Sequence, residues 1–137
     1  HRPPLVSGVG VRLPSHLTAT GRAILAALPR NQVRALYPNR QVFTDRTGIG
    51  PKSPKELEAT LTETRRIGFA EEHGDVTPGF DSYAVAVRDY NDFPIAGLAL
   101  TFVSGSLRPE QERSLKTKLR LAGTELSRRL GAVGSLT

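Results

Sequence analysis

The chain has 137 residues and a formal net charge of +6, with 38% apolar and 23% charged residues. That mixture suits one folded domain with a real core and is too apolar for a disordered chain. Cysteine is absent, which excludes a disulfide scaffold and a thiolate metal site, and every apolar run falls far short of the roughly 20 residues that span a bilayer. Methionine is absent even at position 1, and HRPPLVSGVG has no apolar signal segment. The sequence is therefore expected to be a piece of a longer chain. The positive charge raises nucleic acid as a partner. Basic residues are scattered, however, and densest at Lys116, Lys118, Arg120, Arg128 and Arg129, with no aromatic side chains between them to stack on bases. A solvated helix face explains them more simply.

In chain order, Val9–Leu13 has the pattern of a short strand ended by Pro14. A helix follows, with Thr18 or Thr20 as N-cap and Ala23, Ile24, Ala27 and Leu28 on its apolar face. Pro29 stops it and opens a second short helix with Val33, Leu36 and Tyr37 inward. RTGIGPK is loop by its glycines and proline. Ser53, Pro54 and Glu56 then form a capping box for a helix whose apolar side is Leu57, Leu61 and Ile67, with Gly68 as its terminator. A strand is expected over Phe69–Glu72. SYAVAVRD and PIAGLALTFVSG, joined by the turn-rich YNDF, predict two antiparallel strands. The segment from Arg108 to Gly131 predicts a helix of about six turns with Leu115, Leu119, Ala122, Leu126 and Leu130 along one stripe. This order predicts an α+β fold of two or three layers, an antiparallel sheet flanked by helices.

Few residues point to chemistry. His16 and His73 are the only credible bases, and no serine sits in a GxSxG elbow, which argues against an enzyme. EEHGD holds one histidine without the i, i+4 partner that would fix two metal ligands on one face, so neither metal nor cofactor is expected. The stretch HLTATGRAILAAL is the better candidate. A helix start offers unpaired N–H groups and the positive end of the macrodipole, and small side chains let a carboxylate reach them. A helix capped by its own threonine fits the spacing equally well.

Three segments, in order, resemble the C-terminal effector-binding domain of IclR-type transcriptional regulators. They are LPSHLTATGRAILAALP, SPKELEATLTETRRIGFAEEHGDVTPGFDSYAVAVRD, and FPIAGLALTFVSG with the terminal LAGTELSRRLG, and the likeness runs from about Val9 onward. The resemblance implies a GAF-like fold with a small-molecule pocket on one face of the sheet. It further implies further sheet strands and a winged helix-turn-helix domain upstream, operator DNA bound only through that missing domain, and homodimers or homotetramers. The ligand expected is a small organic acid or aromatic catabolite, and the expected location is the cytoplasm, with no membrane contact. By position, Ala19, Thr20 and Gly21 match the family's carboxylate-binding backbone. Asp75, with Glu72 as alternative, matches its acidic pocket residue, and Ser82 the small polar residue opening the next strand. Ala99 and Thr101 share one wall on the following strand, where Ala99 departs from the hydroxyl form, and Leu17 and Phe80 add apolar lining. Arg22, one step into the helix, is expected to face solvent. The competing reading is a ligand-free oligomerisation module.

Overall fold

The computed structural model describes residues 8–132. Its elements run α1 (Ala19–Ala27), α2 (Arg30–Leu36), a 3-10 turn (Arg40–Val42), α3 (Pro54–Ile67), β1 (Ala70–His73), β2 (Phe80–Arg88), β3 (Pro94–Val103) and α4 (Pro109–Arg129). The strands form one antiparallel sheet in the order β1-β2-β3. Helices α1 and α3 cover one face and α4 the other, so the α+β fold has three layers.

Alternation along β2 decides which residues face which helix. Ala84 and Ala86 turn toward α1 and meet Ala19, Ala23 and Ala70. Methyl-sized side chains on both surfaces let the helix lie close to the sheet, and a side chain at Gly97 would overlap the Thr20 methyl group. Tyr83 and Val85 point the opposite way and join Phe69 and Leu119, with Leu98, Leu100 and Phe102 packed alongside. A separate cluster of Leu25, Val33, Tyr37, Leu57 and Leu61 binds α1, α2 and α3 to one another.

Local signals set most element boundaries. Ser53 caps α3 through the Glu56 amide at 3.2 Å, and Gly68 ends it in the left-handed region at φ 85°. The Glu56 carboxylate reaches the Lys52 amide at 3.0 Å, one residue before the cap that a capping box would use. In the β2–β3 turn the Asp89 carboxylate accepts from the Asn91 and Phe93 amides, while Asp92 takes φ 58°.

Four expectations need correction. Val9–Leu13 is irregular chain with Val9 and Val11 exposed, because among the described residues no strand lies beside it to pair with. Leu36 is exposed at the end of α2, where Val33 and Tyr37 alone turn inward. Strand β1 begins at Ala70, one residue later than expected, since Ala70 is the residue that meets Ala84 across the ladder. Helix α4 buries Leu119, Gly123 and Ser127, leaving Ala122, Leu126 and Leu130 exposed. The helix seats its smallest residues on the strand: a side chain at Gly123 would overlap Val85, and the Ser127 hydroxyl accepts the Arg88 amide at 3.0 Å.

The basic residues of α4 are mostly engaged locally. Arg128 and Arg129 both pair with Glu125, and those hydrogen bonds, Arg128 first, hold its carboxyl down to about 2. The Arg120 guanidinium lies over the Phe69 ring, and the Lys116 ammonium lies over Phe69 and Tyr83. Among the described residues no helix is long and apolar enough to cross a membrane.

Candidate functional site

A cavity of about 130 Å³ opens between the start of α1 and the sheet, lined by Thr18, Ala19, Thr20, Glu72, Ser82, Ala99 and Thr101 together with Leu13, Val76, Thr77 and Phe80. Five of the seven expected site residues, Ala19, Thr20, Ser82, Ala99 and Thr101, meet in its wall. Register brings the strand residues together: Ser82 lies opposite Thr101 and Ala84 opposite Ala99. The Ser82 and Thr101 hydroxyls are 2.9 Å apart and share one hydrogen bond.

Cap chemistry settles what α1 can offer. Thr18, not Thr20, is the N-cap, and its hydroxyl accepts the Gly21 amide at 2.9 Å. The Arg22 amide goes to the Thr18 carbonyl. Among the described residues the Ala19 and Thr20 amides have no partner, and these two donors border the cavity. Gly21 therefore falls outside the wall, with its amide already used. Its role is steric, because a Cβ there would run into the Ser15 backbone.

Asp75 also falls outside the wall, for a reason the sequence hides. Arg22, expected to face solvent, is only 5% exposed and reaches back from α1 into the loop after β1. Its Nε donates to the His16 carbonyl and its Nη1 to the Glu71 carbonyl, each at 2.8 Å, and its Nη2 to the Asp75 carboxylate. The other Asp75 oxygen accepts the His73 amide at 3.1 Å. Both Asp75 carboxylate oxygens thus accept hydrogen bonds inside the fold. Leu17 is likewise core, packed near Gly50, whereas Phe80 does line the cavity. His16 binds the Thr44 carbonyl at 2.9 Å between Tyr37 and Phe43, and His73 pairs with Asp81 at 3.1 Å.

Glu72, the alternative to Asp75, is the acid of the cavity. It is buried opposite Ser82, and its Oε2 accepts the Asp75 amide at 3.0 Å. Burial pushes its carboxyl above the usual range, and the Asp75 charge adds to the rise, against hydrogen bonds from Ser82 and the Asp75 amide and the charge of Arg22. A folded-state pKa above the unfolded value gives stability that is fully present below the unfolded pKa and lost as pH rises through the folded one. Glu72→Gln should therefore match the native chain in acid and become the more stable of the two as pH rises. Urea midpoints measured across that range would show the gap opening, and a constant gap would refute the assignment.

Leu13, Thr18, Val76 and Thr77 were missed as wall residues. Thr77 and Val76 follow directly on the acidic loop, and that adjacency was the available signal; nothing local marks Leu13.

The family model for the bacterial transcriptional regulator IclR C-terminal region matches residues 2–128. The transcriptional regulator XynR of Escherichia coli is 31% identical over 125 residues, which is 91% of this chain and 49% of that protein. The glycerol operon regulatory protein of Streptomyces coelicolor is 32% identical over 130 residues, covering 90% and 48%. The crystal structure of the Agobacterium tumefaciens repressor BlcR superposes with a TM-score of 0.84 at 29% identity, covering 92% of this chain and 51% of that one. The chain thus spans about half the length of the curated relatives it matches, and these relatives are transcriptional regulators, not enzymes. With the match running from before α1 to the last turn of α4 and the fold recurring in a solved repressor, the chain belongs to the IclR family of bacterial transcriptional regulators, whose C-terminal domain it carries.

Proposed function

We propose that this domain senses a small organic acid in the cytoplasm and passes the event to a DNA-binding domain elsewhere in the regulator. The observation that carries this reading is the pair of amides at Ala19 and Thr20, without a partner among the described residues, in the same cavity wall as the Ser82–Thr101 hydroxyls. One carboxylate can take both amides at the positive end of α1. Glu72, whose carboxyl burial pushes above its usual range, is the acid beside that carboxylate, while Phe80 and Ala99 cover the carbon chain.

Size favours one ligand class. A space of about 130 Å³ is slightly smaller than an engineered cavity of roughly 150 Å³ that holds benzene. A short aliphatic acid fits it as it stands, whereas an aromatic catabolite requires the loop after β1 to move. The name of the Streptomyces coelicolor relative, a glycerol operon regulator, supports control of a catabolic operon. A ligand that prefers one loop arrangement shifts its population, and a coupling of about 1–3 kcal/mol changes operator affinity about 5–150-fold. Assembly into homodimers or homotetramers belongs to the same reading, with the exposed Leu121, Leu126 and Leu130 of α4 as apolar surface available to it.

The test is a thermal-shift and calorimetric panel of short aliphatic and aromatic carboxylates. At least one short acid should raise Tm, and Thr101→Val should weaken its binding about tenfold, the worth of one hydrogen bond to a charged group. Ala99→Leu, which fills the space from the exposed strand wall opposite the free amides, should abolish it. A panel without any shift would favour the ligand-free oligomerisation module instead.

A further inference from the structure

A second, larger cleft of about 620 Å³ lies on the other side of α1, between the carboxyl ends of α1 and α3, the last third of β2 and α4. Its origin is a mismatch of strand lengths. β1 pairs with β2 only as far as Ala84, so β2 continues to Arg88 with no neighbouring strand on that edge among the described residues. The cleft opens where β1 is missing.

Its charge differs from that of the first cavity. Three arginines, Arg65, Arg88 and Arg120, face it against one carboxylate, Asp92. Each is fixed by part of its guanidinium and leaves the rest free. Arg65 gives Nε to the Ala26 carbonyl at 2.9 Å and Nη1 to Glu58 at 3.3 Å, while its Nη2 is buried with no partner. Arg120 is held over Phe69 and gives Nη2 to the Ile67 carbonyl at 3.0 Å. Arg88 gives Nη1 to the Asp92 carbonyl at 3.1 Å and pairs through the same nitrogen with the Asp92 carboxylate at 3.7 Å, leaving Nε and Nη2. The Ser127 hydroxyl accepts the Arg88 amide, which leaves its own proton to donate.

A buried donor without an acceptor carries its full desolvation penalty, so an oxygen in the cleft gains most when the part-exposed Arg65 side chain turns its shielded Nη2 toward it. Arginine forks suit oxyanions, and a cleft in which cations outnumber carboxylates concentrates the opposite ion. From these features we infer that the cleft binds a small, multiply charged oxyanion, such as a phosphate ester or a polycarboxylate. The site is separate from the cavity at the start of α1 and has different chemistry: arginines here, one carboxyl, two hydroxyls and two amides there. Both sites nevertheless share α1, with Ala19 and Thr20 at one end and Ala26 and Ala27 at the other.

Calorimetry of the chain with inorganic pyrophosphate and with citrate, in a buffer free of phosphate, tests the inference. Binding of at least one probe is expected in the millimolar range or tighter. Arg65→Gln and Arg120→Gln should each weaken it about tenfold or more, the worth of one charge-assisted hydrogen bond. Ala99→Leu, which changes only the exposed strand wall of the first cavity, should leave it unchanged. Absence of binding by both probes overturns the site, as does binding that survives both arginine substitutions. Loss of binding in Ala99→Leu alone would assign the anion to the first cavity and overturn it equally. None of these results depends on whether the first cavity takes a carboxylate.

Discussion

Arg22→Met should destabilise the domain by about 3–5 kcal/mol, because it leaves the Asp75 carboxylate buried without its counter-ion. For a domain of this size that loss corresponds to a fall in Tm of roughly 10 °C or more. The guanidinium also satisfies the His16 and Glu71 carbonyls, so three acceptors from separate parts of the chain are orphaned together. Lysine is not a conservative replacement, since a point charge cannot address three acceptors in the planar fork that Arg22 uses. Adding Asp75→Asn should recover about half of the loss by removing the uncompensated charge, while the two carbonyls stay unpaired. Denaturant unfolding of the two single variants and the double variant measures this directly. A loss of less than about 1 kcal/mol in Arg22→Met, the worth of an exposed pair, would refute the structural role assigned to it.

Gly21→Ala is the second large effect. In an ordinary helix the change would stabilise by up to about 1 kcal/mol. Here the added methyl meets the backbone of Ser15, which cannot turn aside as a side chain could. Either the turn at Pro14–Thr18 or the first turn of α1 has to move, and overpacking of this kind typically costs about 1–3 kcal/mol and occasionally more. The net result should be a clear loss of stability, against the sign that helix propensity predicts. Because the same turn carries the Ala19 and Thr20 amides, carboxylate binding should fall as well. A variant as stable as the native chain would show that the close approach at Ser15 is not required.

Local chemistry written in neighbouring residues was legible in the sequence. The Ser53 cap, the Gly68 terminator and the antiparallel pair joined by YNDF depend on contacts within a few positions, and each appears where its residues predict. Three layers could not be told from two, because the α4 stripe was read from its leucines. Periodicity gives weight to large apolar residues, whereas the sheet selects Gly123 and Ser127 so that the helix can come close to Val85. At the site, residue order and family likeness brought Ala19, Thr20, Ser82, Ala99 and Thr101 to one wall. Asp75 and Arg22 were misplaced together because their pairing spans 53 positions, and no local pattern announces an ion pair of that reach. Exchanging Asp75 for Glu72 at the cavity follows from that single contact.

The β2–β3 hairpin has a further consequence, in the order of events during folding. Its two strands are joined by a short turn held by Asp89, so Ser82 and Thr101 can meet while the rest of the chain is still open. The opposite wall, Ala19 and Thr20, precedes Ser82 by more than sixty positions, and closing that distance belongs to the late, non-local part of assembly. The cavity therefore exists only once the fold is nearly complete. Whatever occupies it grips the finished state and not the path toward it, which slows unfolding while leaving the rate of formation as it was. An occupant of this cavity sets how long the domain lasts.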